Sequence, residues 1–120
     1  SSTNYWSSTT STYPAYVYDS NSTLYNYVES YRTYLEIQGV EIEEARLIKV
    51  EELEALGCSR ADWSCSGAPE WVYSTTYWSG SAASSAAVLT VYSSSTFSND
   101  YYTNDNGGVR PVIVISRSLI

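Results

Sequence analysis

Leu24, Tyr27, Val28, Tyr31 and Leu35 recur at intervals of three and four residues, the period that lines one face of an α-helix. The spacing predicts a helix over residues 24–38. Asp19-Ser20-Asn21-Ser22-Thr23 supplies turn and N-cap residues before it, with the cap expected on Ser22 or Thr23, and Gly39 can take the left-handed conformation that ends helices. Asn21-Ser22-Thr23 also matches a glycosylation sequon, although a helix cap accounts for the same residues. Apolar and charged residues partly alternate over residues 40–50. Glu51-Glu52-Leu53-Glu54-Ala55-Leu56 then predicts a short helix closing at Gly57. Upstream, Tyr13-Pro14-Ala15-Tyr16-Val17-Tyr18 reads as a short strand kept near a sheet edge by its proline. Residues 1–12 show no period, and the first 22 residues are expected to form an N-terminal extension.

Trp71-Val72-Tyr73 and Tyr77-Trp78 read as aromatic strand or turn segments. In Ala87-Val88-Leu89-Thr90-Val91-Tyr92 a period of two places Leu89 and Val91 on one face, expected inward, and Thr90 and Tyr92 on the other, expected outward. Val112-Ile113-Val114-Ile115 is apolar on both faces and is expected in the interior of a sheet, with Pro111 starting it. Helices first and strands afterwards give an α+β fold class in a single domain spanning residues 1–120.

Composition narrows the partners. The formal charge is −7 with six Lys and Arg against thirteen Asp and Glu, which disfavours nucleic acid and acidic membrane surfaces. No apolar run approaches the roughly 20 residues that span a bilayer, so no membrane insertion is expected. Thirteen Tyr, four Trp, no Met and no His lean towards extracellular adhesive or binding proteins. Eight of the acidic residues lie between Glu29 and Glu54, where the solvated outer faces of two helices account for them. No His is present to act as a general base and no Ser has an evident base partner, so an enzyme is not expected.

Cys58 and Cys65 enclose a polar six-residue loop, and a disulfide between them is feasible in an oxidising compartment. A zinc half-site and two buried thiols are the competing readings, although two further Cys or His ligands are absent from the chain. Arg110 adjoins the last strand and is expected to pair with a helix carboxylate such as Glu52, with a ligand role as the alternative.

Residues 81–108 contain no Lys, Arg, Glu, Gln, His, Met or Trp. Tyr supplies rigid amphipathic contact area and Ser, Gly and Asn supply adaptable hydrogen bonds, a mixture suited to recognition. The contact set expected from it is Thr90, Tyr92, Asn99, Asp100, Tyr101, Tyr102, Asn104 and Asp105. Asn99-Asp100 and Asn104-Asp105 offer oxygen ligands but not the fuller set that calcium needs, so no metal or cofactor is expected.

Three stretches carry a family resemblance. Arg46-Leu47-Ile48-Lys49-Val50-Glu51-Glu52-Leu53-Glu54 resembles the Arg-Leu-Pro-Thr-x-x-Glu-Trp-Glu signature of formylglycine-generating-enzyme-like domains of the C-type lectin fold, with Leu53 where Trp is usual. Tyr77-Trp78-Ser79-Gly80-Ser81 resembles their Trp-rich segment, and Gly108-Val109-Arg110-Pro111-Val112 resembles their closing Gly-Phe/Val-Arg-Pro strand. The resemblance covers residues 24–120 and implies a C-type-lectin-like fold in which Arg46, Glu52, Trp78 and Arg110 are structural.

Within that fold the chain is similar to surface-displayed ligand-binding domains of gut bacteria and phages, including the variable proteins of diversity-generating retroelements. There, mutation at adenines turns Asn codons into a restricted set of residues, and every residue from 81 to 108 falls within that set. The enzyme branch carries a cysteine pair near its closing Arg strand, whereas Cys58 and Cys65 follow the short helix. The Glu-Pro-Asn and Trp-Asn-Asp motifs of the calcium-dependent sugar binders are absent. These features imply a non-enzymatic adhesion or receptor-recognition domain at a cell surface or phage tail, binding a cell-surface protein or glycan. The alternative is a structural subunit of an extracellular fibre or pilus, in which copies of the chain contact one another.

Overall fold

The computed structural model describes residues 16, 18, 20, 23–84, 87–101 and 108–115, with residues 23, 84 and 99–101 described by their backbone course. The expected strand over residues 13–18 therefore lies mostly outside the described residues, as do the expected cap Ser22 and the site candidates Tyr102, Asn104 and Asp105. The architecture is α+β. Helix α1 (Thr23–Ile37) is followed by β1 (Ile42–Arg46), α2 (Val50–Leu56), a single 3₁₀ turn (Glu70–Val72), and strands β2 (Tyr77–Ser84), β3 (Ala87–Val91), β4 (Phe97–Tyr101) and β5 (Val112–Ile115). The strands form two antiparallel sheets, a pair β1-β5 and a three-stranded sheet in the order β2-β3-β4. No described helix is long and apolar enough to cross a membrane.

The helix boundaries follow from the residues that set them. α1 buries Leu24 and Val28 and half-buries Leu35, whereas Tyr27 and Tyr31, expected on the same face, are exposed because they lie towards the rim of the stripe; the helix ends ahead of Gly39, which has φ of +94°. α2 begins where the Glu52 carboxylate reaches back to the backbone N–H of Lys49 at 2.9 Å, satisfying a donor that the helix itself leaves free. It ends at Gly57, where φ is +119° and a Cβ would stand 2.5 Å from the Gly67 carbonyl oxygen. Glycine is required there on both counts.

Two apolar clusters lie on opposite faces of the three-stranded sheet. One joins Leu24 and Val28 of α1 to Ile42, Ala45 and Leu47 and to Trp78, Ala82 and Val88 of the sheet. The other joins Val50 and Leu53 of α2 and the paired cysteines to Tyr77, Leu89, Val91 and Phe97. With both faces covered, every residue of β3 is buried. Thr90, expected to face outward, is fully buried opposite Trp78. The alternation was that of a strand with one solvated face, but a second layer built from α1 and β1 occupies that face.

The closing strand departs from expectation in the opposite direction. β5 pairs only with β1 among the described strands and so lies at a sheet edge, with Val112, Ile113 and Val114 half-buried and Ile115 exposed. An apolar run indicates burial but not the number of strand neighbours. Of the acidic cluster, Glu41, Glu43 and Glu44 lie in or beside β1 rather than on a helix, exposed to solvent.

Candidate functional site

The framework around residues 81–108 holds both ends of the segment. At its start, the Ser81 hydroxyl accepts a hydrogen bond from the Val50 N–H at 3.0 Å, so the buried side chain caps the first turn of α2 from outside. At its end, the Gly108 N–H donates to the Thr76 carbonyl at 2.9 Å and the Gly108 carbonyl accepts from the Trp78 N–H at 3.3 Å. The 28 residues from 81 to 108 thus leave and rejoin the framework beside the same Thr76-to-Ser81 stretch.

Between those ends the described surface is the β3-β4 turn. The Tyr92 N–H donates to the Thr96 carbonyl and the Ser95 N–H to the Tyr92 carbonyl, both at 2.9 Å. Ser95 takes φ of +71° within this turn, and Ser93, Ser94 and Thr96 are exposed. Of the expected contact set, Thr90 is removed by burial and Tyr92 is half-buried at the turn. Asn99, Asp100 and Tyr101 run along β4 opposite Leu89, Val88 and Ala87.

The disulfide loop docks against this turn, a juxtaposition the sequence reading missed. Cys58 and Cys65 are bonded, which settles the choice left open between disulfide, zinc half-site and free thiols. The Cys65 N–H donates to the Ser95 carbonyl at 2.7 Å, and the Phe97 N–H donates to the Trp63 carbonyl at 3.0 Å. Trp63 is held at φ of +52° with its ring partly exposed and the Arg60 guanidinium 3.9 Å from its centroid. A bulky residue in the left-handed region is costly and is kept only where its surroundings fix it. Here the disulfide and the Phe97 contact do so. The cysteine spacing alone carried the signal that Trp63 sits at a constrained tip.

Arg46 takes the carboxylate partner expected of Arg110. Arg46, at the end of β1, places Nη1 and Nη2 at 2.7 and 2.8 Å from the two Glu52 oxygens and Nε at 2.7 Å from Glu44. The guanidinium holds the Glu52 carboxyl below its ordinary range and the carboxylates raise the Arg46 pKa in turn. Arg110, expected on Glu52, instead donates to the Trp71 carbonyl at 2.6 Å, Ser74 Oγ at 2.7 Å and Thr75 Oγ1 at 2.9 Å, with its guanidinium carbon 4.4 Å from the Tyr77 ring centroid. Because β5 lies beside β1 and Arg46 already occupies the α2 carboxylate, Arg110 is left to order the 71–75 loop.

Tyr16 fastens the upstream chain to this frame. Its hydroxyl donates to the Leu47 carbonyl at 2.7 Å and accepts from the Leu47 N–H at 3.2 Å, and burial pushes its pKa up to about 12. Its ring lies over Gly80, where a Cβ would stand 2.2 Å from Cε1. Tyr16 also forms an antiparallel bridge with Ser81 at the start of the segment. Among the described residues no cluster of three or more His, Cys, Asp or Glu is arranged to hold a metal ion. No protein-family model, curated protein or solved structure matches this chain.

Proposed function

We propose that the chain is a C-type-lectin-like domain of the variable, non-enzymatic kind, displayed at a cell surface or phage tail, and that the part of residues 81–108 outside the buried strand β3, together with the disulfide loop, forms its binding face. The observation that carries this reading is the clamping of the segment at Ser81 and Gly108 together with the docking of Trp63 beside the exposed Ser93, Ser94 and Thr96. An aromatic ring beside a hydroxyl-rich turn offers stacking area and adaptable hydrogen bonds at little entropic cost. The partner is a protein or glycan on another cell, since the Tyr, Ser, Thr and Asn residues of the segment supply contact area and adaptable hydrogen bonds suited to a macromolecular surface.

Adhesion to the native partner cell tests it. Trp63→Ala, and separately Tyr101→Ala with Tyr102→Ala, are expected to reduce adhesion by about tenfold or more while leaving the melting temperature near the parent value. Undiminished adhesion in both variants refutes the reading.

The fibre-subunit reading has one observation in its favour. Tyr27, Tyr31, Tyr34 and Ile37 are exposed along α1, with the Tyr31 and Tyr34 rings 6.2 Å apart and nearly parallel. Solution size separates the two functions: a monomer at micromolar concentration supports the binding module, and spontaneous filaments support the fibre.

A further inference from the structure

The Arg110 guanidinium makes no ion pair among the described residues. Its three hydrogen bonds go to neutral oxygens, those of Trp71, Ser74 and Thr75. They fix the plane of the group and use three of its five N–H donors, leaving N–H capacity at the terminal nitrogens. Its charge is therefore positioned but not neutralised by these partners, in a chain whose formal charge is −7.

Arg110 lines a half-open cleft of about 100 Å³ together with Ile48, Trp71, Tyr77, Pro111 and Val112. The lining is apolar and aromatic, and Trp71 is 59% exposed although its backbone is tied to Arg110. A dry apolar cavity of roughly 150 Å³ takes up benzene. A cleft somewhat smaller but open on one side matches one ring or one branched aliphatic group. A planar guanidinium beside such a cleft matches a carboxylate, which presents two oxygens to two N–H groups.

We infer that this cleft is a binding subsite for a carboxylate bearing a single apolar group about the size of a ring, with Arg110 holding the carboxylate and Trp71 and Tyr77 flanking the apolar group. The chemistry has two sources, a free small acid or the C-terminus of a peptide ending in an apolar residue, and both present the same groups. The subsite shares no lining residue with the Trp63 and β3-β4 turn surface, and its failure leaves the adhesion reading standing.

Titration of isotope-labelled protein with phenylacetate, phenylacetamide and acetate, followed by NMR, tests the inference. Phenylacetate is expected to saturate in the millimolar range and to move the Trp71 indole N–H and Arg110 Nε–H resonances. Phenylacetamide lacks the charge and acetate lacks the ring, so each is expected to bind about tenfold more weakly or worse. Trp71→Ala is expected to weaken phenylacetate several-fold, and because its ring is exposed the variant is expected to keep the parent melting temperature. N-acetyl-Gly-Phe and its C-terminal amide distinguish the sources: tighter binding of the peptide acid than of phenylacetate assigns a chain terminus, and equal or weaker binding assigns a free acid. Equal binding of phenylacetate and phenylacetamide, or saturation that leaves the two reporter resonances unmoved, overturns the inference, as does the absence of saturable binding by either acid.

Discussion

Arg46→Ala removes more than a surface charge. The side chain is 13% exposed and joins β1 to the first turn of α2 through two parallel bonds to Glu52, a third contact to Glu44 and a bond to the Leu47 carbonyl. Breaking a buried pair by deleting one partner costs about 3–5 kcal/mol, because the remaining charge is stranded. Glu52 keeps 40% of its side chain in solvent and retains the Lys49 N–H, so water and the helix terminus recover part of that cost. The expected loss is about 2–3 kcal/mol. For a chain of this length it corresponds to a fall in melting temperature of roughly 10 °C. Thermal and urea unfolding of Arg46→Ala, Glu52→Gln and the double variant give the coupling directly, and the double variant should be less destabilised than the sum of the singles. The pH dependence has a fixed sign: the depressed Glu52 pKa stabilises the fold above the ordinary carboxyl value near 4.5, and that contribution disappears as pH falls towards the folded-state value. An Arg46→Ala protein that melts within about 2 °C of the parent, with an unchanged acid profile, refutes the strut.

Further expectations follow from individual contacts. Replacing both cysteines by Ser should cost about 2–3 kcal/mol, read by urea unfolding, and non-reduced peptide mass spectrometry should recover Cys58 joined to Cys65. Gly80→Ala should destabilise the parent by displacing Tyr16 but cost markedly less in a Tyr16→Ala background, and additive losses would show that the two do not touch. Burial raises the pKa values of Tyr16, Tyr18 and Tyr77 above the ordinary 10, so their contribution is intact below pH 10 and is lost at higher pH, that of Tyr16 as pH rises towards about 12; Tyr16→Phe should flatten part of that alkaline loss in a pH-dependent melting series.

Local signals in the sequence were legible where the cause is local. Leu24, Val28 and Leu35 mark the inner face of α1, and Gly39 and Gly57 mark the helix ends, because helix period and positive φ are properties of a few neighbouring residues. The disulfide was legible because its partners are the only cysteines and lie close in sequence. Thr90 was misplaced because its burial depends on α1 and β1 covering the second sheet face, a contact between segments some fifty residues apart. Arg110 was given the wrong partner for a similar reason, since several carboxylates were available and only the β1-β5 pairing decides which cation reaches Glu52. Trp63 was overlooked because its partner Phe97 comes from the far side of the β2-β3 hairpin, as does Ser95, the partner of Cys65.

The burial pattern within residues 81–108 constrains any use of the segment as a variable surface. Val88, Leu89, Thr90, Val91 and Phe97 are buried, while Ser93, Ser94 and Thr96 are exposed on a turn held by its own backbone bonds. Leu89→Ala empties part of the cluster beneath the sheet and should cost about 2–5 kcal/mol, whereas most substitutions at Ser94 should change stability by less than about 0.5 kcal/mol. Diversity in this segment is therefore affordable at the turn and not along β3. A library randomised at 93, 94 and 96 should retain mostly folded members by protease resistance, and one randomised at 88–91 should lose most of them. Equal survival of the two libraries would show that the buried strand does not support the face, and the separation between framework and contact surface would fail with it.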